Sequence, residues 1–422
     1  MTTAWCWEYH RYGPKTERLV EALCTLGNGR FATRGSAPES VADDIHYPGT
    51  YLAGCYNRLA STIGGRTVSN EDMVRLPDWT ALRYRCLPEG APPGDWLTPD
   101  HPALRHSHVS LDLRAGTLTR RMLFHDAEGR RLGVTHTRLV HMGDPNLAAQ
   151  NMVFRAYGWR GRIEIESVLE GEVTNAGVDR YRALAGRHLV EHRAGVEAEG
   201  TAWISQPPCA PRSTVPRRIR CGGASTVPRT PRTSPRCWPP TRCPGNACGV
   251  LERLFLRLGC RLDDDLWRRT VDYYVRRTCH GSTLSSLVHG WVLAREQGPN
   301  AWRYCQEALL SDITDIQGGT TGEGIHLGAM GGTLDLVERG IVGLEPHGDG
   351  LHIDPVPLSE VPRSSFSISY LGHRDIRIRF RPGRLGISVP SSTLGPVPLV
   401  LPGDRRERIA ASQERWFRLP KG

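Results

Sequence analysis

The sequence predicts a mixed β and α, multidomain chain in which two strand-rich regions flank a helical one. Three observations predict it. Short runs of β-branched and aromatic residues alternate with turn residues over 1–205 and again over 345–422. Apolar residues recur at helical spacing over 248–344. Between them, residues 206–247 hold ten Pro and eight Arg with no Asp or Glu, and have no apolar periodicity. With 422 residues the chain is long enough for two or three domains, each with its own core.

In residues 1–205, Arg162–Leu169 alternates Ile163 and Ile165 against Glu164 and Glu166, the pattern of a half-buried antiparallel strand. Val109–Leu113 and Leu118–Phe124 flank the turn Arg114–Thr117 and predict a hairpin. Gly133–Val140 is a further strand, and several such runs favour a large β-sandwich. Gly27-Asn28-Gly29 marks a tight turn between two apolar runs. It is either a loop facing a site or an ordinary hairpin.

Segment 206–247 cannot bury enough apolar surface to offset chain entropy. A disordered linker, a basic nucleic-acid tail and out-of-frame translation of a GC-rich gene would each give such a composition. The third is favoured by the family comparison below.

Four helices are expected over 248–344. Their apolar faces are Trp267, Val271, Tyr274 and Val275; Leu284, Leu287, Val288, Trp291 and Val292; Ala301, Cys305, Ala308 and Leu309; and Met330, Leu334 and Val337. Short turns between them suggest stacked helix pairs. Strands return at Phe366–Tyr370, Ile376–Phe380, Leu385–Val389 and Val397–Leu401, a small sandwich or jelly-roll piece.

Composition excludes several function classes. The net charge is +10, but the eight arginines of 206–247 supply eight of it and the rest of the chain is near neutral at +2. Nucleic acid is therefore not an expected partner. No run of 18 apolar residues occurs, so no membrane span is expected. The first residues, MTTAWCWEYHRYGPKTERL, lack the apolar core of a secretory signal, and a cytoplasmic location is expected. Twelve Cys without a CxxC pair make neither a zinc framework nor a disulfide scaffold; no metal is expected.

The chemistry concentrates in HGSTLS (280–285) and QGGTTGEGIHLGAMGGT (317–333). Ser282 or Thr283 can cap the helix whose apolar face starts at Leu284. Gly318–Thr321, with Thr320 and Thr321, precede a second helix that carries His326. Helix N-termini offer free amides and partial positive charge, and so hold phosphate or sugar hydroxyls if they converge. The alternative is two capped helices with a buried, hydrogen-bonded His. Among the acids Asp263, Asp264, Asp265, Asp312, Asp315, Glu323 and Asp335, Glu323 stands nearest the expected anion site. Its other reading is stabilisation of the helix start.

HGSTLSSLVHGWVLAR (280–295) and DIQGGTTGEGIHLGAMGGTLDL (315–336) resemble the closing half of the catalytic domain of glycoside hydrolase family 65, which includes maltose, trehalose and kojibiose phosphorylases. EALCTLGNGRFATRG (21–35), PGTYLAGCYN (48–57) and ESVLEGEVTNAGVDRY (166–181) resemble its opening β-sandwich, and SYLGHRDIRI (369–378) its C-terminal β domain. The resemblance implies an N-terminal β-super-sandwich over 1–205 and the irregular segment 206–247. It then implies a partial (α/α)6 barrel over 248–344 and a small β-sandwich or jelly roll over 345–422. It also implies inverting chemistry on α-linked glucobioses, with a Glu as general acid and inorganic phosphate as co-substrate in the phosphorylases. No organic cofactor is implied, and a homodimer fits the family. By carry-over, Ser282, Thr283 and His326 match the stretches that hold phosphate, with Thr320 and Thr321 beside them.

The departures carry as much weight. The family's G-P-D-E-Y-H-type motif, which supplies the general acid, does not occur in this sequence, and neither does its K-Q-A-D-V stretch. Recognisable family sequence stops near Ser205 and resumes near Val250, as a frameshift combined with a deletion would leave it. The expectation is a family member without turnover; the alternative is a protein that binds carbohydrate without cleaving it.

Overall fold

The structure is a computed structural model and describes residues 5–10, 12–178, 181–190, 193–197, 201–206, 219–221, 264–279, 281–295, 300–356 and 358–419. It is strand-rich, with five α-helices among the described residues: α1 (Pro14–Leu23), α2 (Asp264–Val275), α3 (Thr283–Arg295), α4 (Ala301–Leu310) and α5 (Leu327–Asp335). The chain divides into two compact units. One comprises Met1–Thr230 with Gly319–Ile325, the other Pro231–Gly318 with His326–Gly422. Most of segment 206–247, and His280, lie outside the described residues. Among the described residues no helix is long and apolar enough to cross a membrane.

The first unit is built on antiparallel strands. A five-stranded sheet runs in the order Cys6–His10, Leu104–Asp112, Thr117–His125, Arg131–Val140, Ala148–Tyr157. The expected hairpin is its centre, with Asp112 opposite Thr117. From Leu132 to Val140 the strand Arg131–Val140 alternates buried and half-buried residues, as a strand with one face on a core must. A four-stranded sheet joins Leu26–Gly27, Phe31–Thr33, Thr50–Ile63 and Arg66–Leu76. Two apolar clusters form around the larger sheet, one on Val109, Leu111 and Leu118, the other on Tyr84, Met122, Phe124 and Val134.

Two expectations fail in this unit. Residues 1–205 read as all-β, yet Pro14–Leu23 is helical, with Pro at its first turn. Its buried positions are Glu17, Val20, Glu21 and Ala22, so the helical period is carried partly by acids. Ile165 is exposed although it alternates in sequence with the acids. Its strand, Gly161–Ser167, pairs only with Leu82–Pro88 among the described residues, and of the two isoleucines only Ile163 is half-buried against the core.

In the second unit the helices pack through small residues. Gly290 of α3 sits so close to α4 that a Cβ would meet Cys305 N and Sγ at 3.1 Å. Gly332 of α5 is pressed against Leu287 of α3. Leu287, Cys305, Ala308 and Leu336 form one core; Leu293, Ala294, Ala301 and Tyr304 form another, against which Val271 and Val275 pack. The expected faces are only partly right. Tyr274, Leu284, Val288, Leu309 and Leu334 are exposed. The side chain of Trp267 lies outside the described ones. The buried stripe of α3 keeps Leu287 and adds Leu293, but otherwise follows small residues: Thr283, Ser286, Gly290 and Ala294, with Ala329 and Thr333 in α5. Close helix approach puts the compact side chains at the contact and turns bulkier ones outward.

A π-helical turn, Leu336–Ile341, extends α5 into the C-terminal strands. These form two four-stranded sheets. One contains Ser364–Tyr370, His373–Arg381, Arg384–Ser388 and Glu414–Arg418; the other Leu344–His347, Gly350–Ile353, Val397–Leu401 and Arg405–Ile409. Ile376, Ile378, Leu385, Ile387, Leu399 and Ile409 are buried between them. Arg295 at the end of α3 ties helices to strands, its Nη1 donating to Asp354 O at 2.7 Å and its Nη2 pairing with Asp354 Oδ2 at 2.6 Å.

Candidate functional site

Ser282 does cap α3: Leu284 N–H donates to Ser282 Oγ at 3.3 Å. Ser282 is exposed and Thr283, the first helical residue, is buried. Behind them Ser286 Oγ donates to Glu307 Oε2 at 3.2 Å, which fixes α3 on α4. The start of α3 is therefore a capped helix N-terminus with an exposed hydroxyl and its amides at hand.

The second expected helix start is displaced. Residues 311–323 form turns, and α5 begins only at Leu327. Thr320 and Thr321 therefore lie upstream of the helix rather than at its cap, and His326 is at the N-cap position, not one turn in. The cause is visible in the glycines. Gly318 and Gly319 take positive φ (70° and 106°), which only glycine adopts freely, and the chain turns there instead of coiling.

His326 is held at two points by one acid. Asp312 Oδ2 accepts the His326 backbone N–H at 3.0 Å, and Asp312 Oδ1 lies 2.6 Å from Nδ1. Asp312 is 2% exposed, so this carboxylate serves the imidazole from inside the fold. Sequence reasoning preferred Glu323 among the acids and passed over Asp312. The signal available was an acid upstream of His326 in a stretch where intervening glycines allow a return.

The loop Gly319–Ile325 belongs to the first unit and is anchored by Arg34. The guanidinium donates through Nη2 to Gly322 O at 3.0 Å and to Arg18 O at 3.1 Å. Nη1 reaches Glu323 O at 3.5 Å. Thr321 is buried, and Thr320 Oγ1 is buried without a hydrogen bond in the described structure. So Thr320 and Thr321 sit in the first unit, while Ser282, Thr283 and His326 sit in the second, where Leu287 and Gly332 join their two helices.

Arg34 also heads a buried polar network in the first unit. Its Nη2 lies 3.6 Å from Glu21 Oε2. Arg138 donates to Arg34 O at 3.0 Å and Ser36 O at 3.2 Å. Arg120 donates to Tyr12 Oη at 2.8 Å. Burial pushes the carboxyls of Glu17 and Glu39 above the usual carboxylate range despite these arginines. The turn Gly27-Asn28-Gly29 resolves as a structural hairpin. Asn28 Oδ1 accepts from Arg30 and Phe31 N–H, and Nδ2 donates to His141 O at 2.9 Å.

Three family models match this chain in order. The one described as glycosyl hydrolase family 65, N-terminal domain, covers residues 7–213. The central catalytic domain covers 248–335 and the C-terminal domain 344–407. The chain belongs to glycosyl hydrolase family 65. An uncharacterized glycosyl hydrolase of Mycobacterium tuberculosis is 43% identical over 202 residues, 48% of this chain and 15% of the relative. Trehalose 6-phosphate phosphorylase of Lactococcus lactis is 32% identical over 177 residues, 40% of this chain and 21% of that protein. Kojibiose phosphorylase of Caldanaerobacter subterraneus is 25% identical over 186 residues, 44% of this chain and 22% of its own. The chain thus spans less than a quarter of the length of these relatives. Among solved structures, "Putative kojibiose phosphorylase from human microbiome" aligns with TM-score 0.69 at 10% identity, covering 99% of each chain. At that identity the likeness speaks for the fold alone.

Proposed function

We propose that this family 65 chain descends from an enzyme that cleaves α-linked glucobioses by inverting phosphorolysis or hydrolysis, and that it does not itself turn over. One observation carries the reading. The family's three domains are matched in order, but the central catalytic match is confined to 248–335, and the G-P-D-E-Y-H-type motif of the general acid is missing from the sequence. Losing a positioned acid alone costs about 10²–10⁴-fold. The substrate class follows from relatives named trehalose 6-phosphate, kojibiose and α,α-trehalose phosphorylases.

In this reading residues 1–205 are a β-super-sandwich, 206–247 out-of-frame sequence, 248–344 part of an (α/α)6 barrel, and 345–422 a small β-sandwich or jelly roll. Ser282, Thr283 and His326 of the second unit are the phosphate ligands, and no organic cofactor takes part. The exposed apolar residues of the helices, among them Leu284, Val288, Leu327 and Leu334, are the surfaces that a full barrel would cover. The protein is cytoplasmic and a homodimer, and binds neither nucleic acid nor membrane. Purified chain incubated with kojibiose, trehalose or maltose and phosphate should release no glucose 1-phosphate and no glucose; release of either overturns the reading.

The match of residues 7–213 to the N-terminal domain favours one alternative, a non-catalytic carbohydrate-binding protein. Saturable disaccharide binding without turnover supports it, and absence of binding rejects it.

A further inference from the structure

Helix α1 places Glu17 and Glu21 one turn apart on the same inward face. His46 closes on that face from the loop ahead of Tyr47. Three buried atoms there have no hydrogen-bond partner among the described residues: Glu17 Oε1, Glu21 Oε1 and His46 Nδ1. All three lie within 4.8 Å of one another. Nδ1 is 3.5 Å from Glu21 Oε1 and 3.8 Å from Glu17 Oε1. Those separations exceed hydrogen bonds, which run about 2.7–3.2 Å. They approach the roughly 3.3–3.6 Å expected between two donors of one tetrahedral ion, given bonds of about 2.0–2.2 Å.

The other nitrogen of His46 and the other oxygen of Glu21 are already engaged. His46 Nε2 pairs with Asp100 Oδ2 at 2.9 Å, and Nδ1 faces the two carboxylates. Glu21 Oε2 accepts the Tyr47 N–H at 2.8 Å and faces Arg34. Arg120 Nη2 stands 3.8 Å from Glu17 Oε1, short of a hydrogen bond. A carboxylate on the far nitrogen of a histidine is the usual outer support of a metal-binding imidazole.

We propose that Glu17, Glu21 and His46 form a buried site for a divalent transition-metal cation of the zinc class, with Asp100 orienting the imidazole. One imidazole nitrogen and two carboxylate oxygens suit zinc, and a water completes the coordination. The ion ties α1 to the segment before Tyr47. The competing occupant of the same position is a proton on Nδ1, so ion binding releases that proton.

The full-length protein is stripped with EDTA and titrated with Zn²⁺ and with Co²⁺, whose visible absorption reports four-coordinate ligation. One tightly held ion per chain is expected. His46→Gln abolishes it, and Asp100→Asn weakens it about 10–100-fold. The Asp100 side chain is 54% exposed, so this second variant decides the matter if His46→Gln fails to fold. Two other histidine and carboxylate clusters, Glu8/His10/His108 and His347/Asp349/His352, need controls. His10→Ala and His347→Ala should each keep the ion. Failure to retain an ion at micromolar concentration overturns the proposal. So does loss in either control, or Asp100→Asn binding as tightly as the parent chain.

Discussion

His326 meets Asp312 twice, through its backbone N–H to Oδ2 at 3.0 Å and through ring Nδ1, 2.6 Å from Oδ1. Asp312 engages Nδ1, so Nε2 is the ring nitrogen left to meet a ligand. If the phosphate reading holds, inorganic phosphate binds with an affinity that His326→Gln lowers about 10-fold or more, the cost of a charge-assisted contact. Asp312→Asn keeps the volume but weakens the support, and should lower affinity in the same direction by less. Calorimetric titration with phosphate checks both. Equal affinity in His326→Gln would remove His326 from the site.

Gly290 is where α3 and α4 come closest. A methyl there meets Cys305 backbone N and Cα as well as Sγ, at 3.1–3.3 Å, so a side-chain rotation cannot relieve it. Gly290→Ala gains helix propensity but must push the helices apart. The overpacking term wins, at about 1–3 kcal/mol of destabilisation. Urea denaturation should show a lower midpoint; a rise would mean that the contact is looser than described.

The strands were largely legible from their β-branched runs and turn residues. Gly133–Val140 reads as a strand by its β-branched residues, although its buried face carries His136 and Arg138 beside Val134 and Val140, and Arg114–Thr117 announces the hairpin turn. Helix α1 was not legible, because Glu17 and Glu21 occupy inward positions that an apolar period leaves blank. The phase of α3 and α5 was misread for the opposite reason. Large apolar residues such as Leu284 and Leu334 face outward, while Gly290, Ala294 and Ala329 make the contacts. At the candidate site, Ser282 was readable from its place before a helix. Asp312 was not, since its pairing with His326 depends on how the glycine turn brings the chain back.

Arg34 shows how much one buried cation can hold. It faces Glu21, which is fully buried, and donates to the carbonyls of Arg18 and Gly322. Arg34→Met fills similar space but strands the carboxylate and two acceptors, a loss of about 3–5 kcal/mol. Arg34→Lys restores charge without the planar fork and should recover only part. Amide exchange in 319–325 should quicken in both variants, most in Arg34→Met. Unchanged exchange there would show that Arg34 does not hold the loop.

His136 gives the first unit a pH dependence of known sign. It is 1% exposed on Arg131–Val140, opposite Arg120 and two residues from Arg138, with Nε2 3.2 Å from Gln150 Oε1. Burial first, then the charges of Arg138 and Arg120, hold its pKa well below the ordinary 6.5. The unfolded chain takes up a proton near 6.5 that the folded chain refuses. The contribution to stability is therefore complete above that value and is lost as pH falls through the window beneath it, at up to about 1.4 kcal/mol per pH unit. His136→Gln keeps a polar partner for Gln150 but cannot titrate. Unfolding free energy measured between pH 7 and about 5 should fall more steeply in the parent chain than in the variant. Parallel slopes would mean that His136 is protonated in the fold, which the flanking arginines make unfavourable.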